Sequence, residues 1–264
     1  MAAQPSISTL NRWANPPSDL ETLEQWQPNP GTVAATADQL VWHHPFTQYL
    51  LRDPIYNASR PHLKIPAEMR AQNLTGGTLV GEDMIPSPPL TFVTDDGSEL
   101  VSFTYVGPSL CGHPGIVHGG LLATLLDEGL ARCCFPALPN KVGVTASLKI
   151  DYRAPTKAGQ VVVLRAWTTK VEGRKAWVKG RLETLSDPDK WTEAWESGEF
   201  AQRGGVGKDG GAVVLVEAEA LFVEPKGAAN MPKLYAPTGD GSRVKVTADG
   251  HVHGTVDSTG SGSK

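Results

Sequence analysis

The most constraining feature of the sequence is an apolar segment, 121–134, which follows a His-Gly-Gly tripeptide and precedes Pro136. Its charged residues are Asp127, Glu128 and Arg132. The segment predicts a helix from His118 to Cys134 that is apolar on most sides, and such a helix must be wrapped by a curved sheet. A carboxylate inside it carries a desolvation cost, so it needs a partner or a function.

The tripeptide is a candidate for polarising a carbonyl group. Glycines let another group approach the backbone closely where the helix begins. The first N–H groups of a helix lack acceptors within it and lie at the positive end of its dipole. Gly119 and Gly120 therefore suit an electrophile that is attacked with help from Asp127. The alternatives are a tight turn for the glycines and, for Asp127, a backbone N–H or Arg132 as a structural partner.

The rest of the pattern predicts strands on both sides of this helix, and hence an α+β fold. An Asp-Asp-Gly turn at 95–97 separates the second and third of them. The predicted strands are Thr78–Glu82, Leu90–Thr94, Leu100–Val106, Val142–Tyr152, Val161–Val171, Ala176–Leu185 and Ala212–Val223.

Three stretches together resemble a known family: Gly112–Gly120, Asp127, and Val144–Pro155 with its Tyr-Arg-x-Pro end. They are similar to the hotdog-fold acyl-CoA thioesterases, and most similar to a fungal branch related to THEM-type and PaaI-type thioesterases. The resemblance covers roughly residues 78–224. It implies a curved antiparallel sheet around a long central helix, assembled as a homodimer or a dimer of dimers.

The resemblance also implies a reaction, the hydrolysis of an acyl-CoA or acyl-carrier-protein thioester. Asp127 matches the family position of the general base or nucleophile, and Gly119 and Gly120 match the amides that polarise the carbonyl. His118 and Thr145 would assist. The site would span the dimer interface, with the helix start from one subunit and Asp127 from the other.

Substrate contacts are expected at His113, Lys149 and Arg153. His113 would shape the entrance, and the two cations would contact the phosphates of CoA, although ordinary solvated strand-end charges explain them nearly as well. The pair His43 and His44 has no acid or cysteine at metal-ligand spacing, so neither a metal nor a cofactor is predicted.

Two other functions remain open from the sequence. One is a hotdog dehydratase or hydratase that acts on acyl thioesters. The other is a non-catalytic domain that binds acyl-CoA or a protein partner through the segment Ser186–Gly211. Release of a free thiol distinguishes hydrolysis from both.

The domain organisation is predicted as an N-terminal extension, 1–77, a hotdog domain, 78–225, and a flexible C-terminal tail, 226–264. No sustained periodicity is found in residues 1–40. Short helices are candidates at Ala37–Arg52 and Ala67–Asn73, and 186–211 is predicted to be a long exposed loop insertion.

Composition narrows the class of protein. The 24 basic and 28 acidic residues give a formal net charge of −4, which offers no electrostatic argument for nucleic acid. Three cysteines cannot form a disulfide framework, which favours a reducing compartment. No apolar run has the length of a membrane span. We expect a soluble intracellular protein, cytoplasmic in the first place, with mitochondria as the alternative.

Overall fold

The computed structural model describes residues 15–197 and 211–231, the strands 243–246 and 252–256, and residues 6, 9 and 11. Its helices α1 to α6 are Asp19–Glu24, Val33–His43, Pro45–Arg52, Ala67–Arg70, Gly119–Cys134 and Pro188–Glu196. Its strands β1 to β11 are Tyr56–Ser59, Leu90–Thr94, Glu99–Val106, Cys111–His113, Ile116–Val117, Val144–Tyr152, Gln160–Glu172, Lys175–Thr184, Val214–Val223, Arg243–Val246 and Val252–Val256.

Seven strands form one antiparallel sheet in the order β1-β2-β3-β7-β8-β9-β6, and α5 packs against one of its faces. Alternate residues of a strand point to opposite faces. In β7, Val162 and Leu164 therefore pack with α5, while Val161 and Val163 pack on the other face. The predicted α+β hotdog arrangement is confirmed, and the strands from β2 to β9 that form this sheet agree with the predicted bounds to within two residues.

The second face of the sheet is covered by the chain itself. A separate hydrophobic cluster there combines strand residues with side chains of α1, α2, α3 and α6, among them Leu23, Val41, Phe46 and Trp191. The segment before residue 78 also contributes β1, which pairs with β2. The sheet is therefore sandwiched between α5 and a layer built mainly from the N-terminal segment.

Residues 1–40, where the sequence shows no sustained periodicity, contain α1 and the greater part of α2. α1 is only six residues long, and both helices carry side-chain caps. The hydroxyl of Ser18 accepts the Glu21 N–H, and the carboxylate of Glu21 accepts the Ser18 N–H. At α2, the Thr32 hydroxyl accepts the Ala35 N–H at 3.2 Å. The candidate helix 37–52 is divided between α2 and α3, because Pro45 begins the second helix.

The prediction of a long exposed loop at 186–211 was wrong over its first part, where α6 forms. Asp187 caps α6, and Trp191 and Ala194 are buried against the sheet layer. Nine residues with two buried positions give little periodic signal. Residues 198–210 of this predicted insertion lie outside the described residues. Much of the predicted tail does too, although β10 and β11 form an antiparallel hairpin within it.

The strand predicted at Thr78–Glu82 does not form. Thr78, where the strand was predicted to begin, is instead the last residue of a π-helical turn, Leu74–Thr78. Within the predicted strand, only Val80 makes a β-bridge, an isolated one to Ile85. The Asn73 side chain accepts the Gly76 N–H, and Gly77 lies so close to Arg70 that a Cβ would stand 1.7 Å from its carbonyl oxygen. Local capping and close packing therefore replace the extended conformation. Every helix in the described part of the chain is too short or too polar to reach across a lipid bilayer.

His44 generates a prediction about stability and pH. Its buried ring accepts the Phe46 N–H at Nδ1 (3.1 Å) and contacts the Ser186 carbonyl through Nε2 (3.0 Å), which ties α3 to the segment before α6. Burial lowers the pKa of His44, despite the opposing effects of Ser186 and Asp187. Below pH ~6.5 the unfolded chain binds a proton that the folded chain excludes. The free energy of unfolding therefore decreases as the pH is lowered, by at most about 1.4 kcal/mol per pH unit for one such histidine.

We therefore expect His44→Asn to weaken this dependence between pH 7.5 and 5.5 in urea unfolding. Asn still caps a helix but does not titrate. The neighbouring His43 is exposed, and His43→Asn should keep the wild-type slope. Equal slopes for wild type and both variants would contradict the assignment to His44.

Candidate active site

His118 caps the N-terminus of α5. Its backbone is extended (φ −61°, ψ 128°), and its Nδ1 accepts the Gly120 N–H at 2.9 Å. A ring nitrogen that accepts a hydrogen bond carries no proton, so the neutral ring holds its proton on Nε2. His118 is exposed, and its Nε2–H is therefore a donor at the helix start.

The two glycine amides have different surroundings. The Gly120 N–H is engaged by His118, whereas the Gly119 N–H donates to no group in the described part of the chain. Gly119 is the first residue of α5, where N–H groups have no acceptor within the helix. Of the two predicted polarising amides, Gly119 is the one left available for a ligand.

Asp127 lies two turns along α5 and is half-buried. The hydroxyl of Thr145, on β6, donates to its Oδ1 at 2.8 Å. The structure thus brings together two residues that are 18 positions apart and were both predicted for the site. The hydrogen bond fixes one carboxylate oxygen and leaves the other for a water molecule or a substrate.

Glu128 points to a different part of the molecule, because successive helix residues are about 100° apart. Its carboxylate accepts the Thr75 hydroxyl (2.7 and 2.8 Å) and lies 3.5 Å from Arg132 and 3.7 Å from His62. Burial opposes ionisation of Glu128, but the contacts with His62, Arg132 and Thr75 prevail and hold its pKa at about 2. Glu128 is therefore an ionised structural residue that ties the N-terminal segment to α5.

The helix start and Asp127 do not form one compact site within a single chain. Asp127 follows Gly119 by eight positions along α5. At about 1.5 Å per residue, the two positions are about 12 Å apart along the helix axis. A single reacting carbonyl cannot contact both in one subunit.

The predicted substrate-binding residues lie on the surface around these groups. His113 is exposed in the β4–β5 hairpin, and the adjoining Gly112 contacts His118. Lys149 lies 3.7 Å from Asp151, and the Arg153 Nε donates to Glu217 at 2.6 Å. Both cations are largely exposed and already face carboxylates, so a bound phosphate would compete with these partners. Residues 15–197 and 211–231 contain no cluster of three His, Cys, Asp or Glu residues that could hold a metal.

Sequence reasoning missed two sets of contacts. The Tyr152 hydroxyl donates to the Gly119 carbonyl oxygen at 2.8 Å, and its only sequence signal was the Tyr-Arg-x-Pro end of β6. His62 and Thr75 reach Glu128 from a segment predicted to lie outside the hotdog domain. No periodicity or motif connects those residues with α5.

Comparison with known proteins identifies a family for the central part of the chain. The family model of the thioesterase superfamily matches residues 114–189, which include His118, Asp127 and Thr145. An uncharacterised mitochondrial protein of Candida albicans is 33% identical over 180 residues, which are 67% of this chain and 71% of that protein. A Schizosaccharomyces pombe protein is 35% identical over 181 residues, which are 67% of this chain and 62% of that protein.

Mouse acyl-coenzyme A thioesterase THEM4 is 37% identical over 94 residues, which cover 36% of this chain and 40% of the mouse protein. The chain therefore spans less than two thirds of the fission-yeast and mouse relatives. The structure of zebrafish thioesterase superfamily member 2 aligns with 48% of this chain and 74% of its own, at 18% identity and a TM-score of 0.35. The match to the family model and the similarity to the Candida protein show that the chain belongs to the thioesterase superfamily.

Proposed function

We propose that this thioester hydrolase cleaves an acyl-CoA or acyl-carrier-protein thioester to a free acid and a thiol, with Asp127 as the catalytic carboxylate. The observation that carries the proposal is the 2.8 Å hydrogen bond from Thr145 to Asp127 on an accessible side of α5, while the carboxylate of the adjacent Glu128 is engaged by Thr75, His62 and Arg132. The geometry therefore distinguishes between the two neighbouring acids on physical grounds. The mouse relative is named an acyl-coenzyme A thioesterase, which favours CoA as the carrier.

Water attack is the step assigned to Asp127. The carboxylate takes a proton from water while the water oxygen bonds to the carbonyl carbon of the thioester. Collapse of the tetrahedral intermediate breaks the C–S bond, and the sulfur leaves with the electron pair as a thiolate and is protonated by solvent or by the Asp127 carboxyl. Direct attack by Asp127, which gives a mixed anhydride before hydrolysis, is the second form of the mechanism.

The carbonyl oxygen is assigned to the start of α5. Among the residues that the structure describes, none accepts the Gly119 N–H, and the His118 Nε2–H is fixed as a donor by the Gly120 hydrogen bond. Donors that are already oriented stabilise the negative charge that develops on this oxygen in the transition state. Here His118 acts as a hydrogen-bond donor and needs no change of protonation state.

The separation within α5 favours a site shared by two subunits. Reacting atoms must approach to about 3–3.5 Å, which the separation of about 12 Å between Gly119 and Asp127 prevents within one chain. β6 is the edge strand next to β9, and no residue of β6 is fully buried. Two copies paired along β6 would cover an open edge that isolated chains leave exposed. A homodimer with composite sites is therefore part of the proposal.

The cellular location of the protein is inferred from the name of one relative. The Candida relative is named as a mitochondrial protein, and it aligns with two thirds of this chain. This similarity favours mitochondria over the cytoplasm as the location of the present chain.

The first test compares the two adjacent carboxylates. We expect Asp127→Asn to lower kcat for thiol release from acyl-CoA substrates by about 10²-fold or more, because the base or nucleophile is lost. Glu128→Gln is the matched control, since it removes the neighbouring charge from a structural network and should reduce the melting temperature more than kcat. A panel from acetyl-CoA to palmitoyl-CoA with a thiol reagent provides the assay. Full turnover by a folded Asp127→Asn variant would refute the role of Asp127.

The second test removes a single N–H group. Proline lacks this donor, and position 119 is the first residue of α5, where proline suits a helix. His118 is already in the extended conformation required before proline. Loss of one donor to a developing oxyanion is expected to lower kcat about 10²–10³-fold.

Gly119→Ala is the control, because it adds a Cβ but keeps the N–H. Its Cβ would stand 3.3 Å from the Tyr152 ring, so only a small adjustment is needed. We expect Gly119→Ala to retain far more activity than Gly119→Pro. Equal kcat values for the two variants, both with native circular dichroism, would contradict a role for this amide.

The third test mixes the two inactive variants. In a shared site, a dimer of Asp127→Asn and Gly119→Pro subunits has one intact site and one doubly altered site. Random exchange of equal amounts makes about half the dimers mixed, so about a quarter of wild-type activity should return. No recovery after verified exchange would show that each site lies within one subunit.

A further inference from the structure

Tyr152 lies on the strand that also carries Thr145, and it contacts the start of α5. It is the last residue of β6, and Thr145 lies near the beginning of the same strand. Its hydroxyl donates to the Gly119 carbonyl oxygen at 2.8 Å. Its ring also packs on Gly119, since a Cβ there would meet three ring and hydroxyl atoms at 3.3–3.4 Å.

The peptide group between Gly119 and Gly120 is consequently held at both ends. Tyr152 binds its C=O, and the His118 Nδ1 accepts its N–H. Because a peptide group is planar, a contact at the C=O also restricts the direction of the N–H. The Tyr152 hydroxyl therefore acts on the hydrogen bond that orients the His118 ring and keeps the proton on Nε2.

The Tyr152 side chain contributes little to the packing of the hydrophobic core. Tyr152 is 55% exposed, and it does not belong to either hydrophobic core cluster. The backbone of β6 is held by its pairing with β9 up to this residue, where Tyr152 faces Val216. The contact that the hydroxyl adds is the hydrogen bond to the Gly119 carbonyl oxygen.

We propose that Tyr152 is a positioning residue of the thioesterase site, which fixes the Gly119–Gly120 peptide and, through it, the donor orientation of His118. The proposal rests on the function assigned above. It predicts that the Tyr152 hydroxyl affects the chemical step more than substrate binding or folding. The ring makes a second contribution by packing on Gly119, where an added Cβ would require a small adjustment of the ring.

The test is Tyr152→Phe, which removes the hydroxyl and keeps the ring. Poorly held donors stabilise the transition state less, so we expect kcat to fall about tenfold while KM changes by less than about twofold. Tyr56→Phe is the matched control: its hydroxyl donates to Glu99 at 2.6 Å on the far edge of the sheet. That variant should lose stability and keep its kcat.

A readout independent of turnover is the tautomer of His118, observed by ¹⁵N NMR of the full chain. The wild type should show the proton on Nε2, and Tyr152→Phe should show a mixture with Nδ1–H and faster exchange of the Gly120 amide. Tyr56→Phe should match the wild type. An unchanged kcat in Tyr152→Phe, or an unchanged His118 spectrum, would overturn the proposal.

The two readouts separate failure of this inference from failure of the proposed function. If the folded wild type releases no thiol from any acyl-CoA, the hydrolase assignment fails and only the NMR result bears on Tyr152. A changed His118 tautomer would then support the positioning role, and an unchanged one would overturn it. If the wild type is active and Tyr152→Phe equals it in kcat, the inference alone fails.

Discussion

The packing of α5 against one face of the sheet is the interaction on which the rest of the structure depends. Leu126, Leu130 and Cys133 have no exposed surface, and they fix the rotation of the helix about its axis. Because side chains on a helix keep a constant angular spacing, this rotation also sets the directions of Asp127 and Glu128. The hydrophobic core therefore determines which acid faces Thr145 and which enters the structural network.

The two acids differ in the groups that surround them. Glu128 is surrounded by Arg132, His62 and Thr75, which stabilise its ionised form enough to overcome burial. A carboxylate with such a low pKa is a poor base near neutral pH. Asp127 has a single hydroxyl partner and an accessible side, which suits contact with a reactant.

The N-terminal segment is an integral part of this architecture. It covers the outer face of the sheet, adds β1 to its edge, and reaches α5 through His62 and Thr75. At the other edge of the sheet lies β6. On this strand, Thr145 contacts the Asp127 carboxylate and Tyr152 contacts the Gly119 carbonyl oxygen. One strand thus contacts both Asp127 and the start of α5, which belong to two different sites in the proposed dimer.

The sequence by itself determined the central helix and six of the seven strands of the hotdog sheet, and it singled out the residues on α5 that are proposed for the site. These elements are long and strongly periodic, and His118, Gly119 and Asp127 belong to a continuous local motif. Short capped helices such as α1 and α6 gave too little pattern to be found. Only the tertiary structure showed that Gly120 is occupied by His118 while Gly119 is available, since hydrogen-bond partners are set by geometry and not by spacing. The same holds for Glu128 and His62, which are 66 residues apart and meet only because the N-terminal segment folds back onto α5.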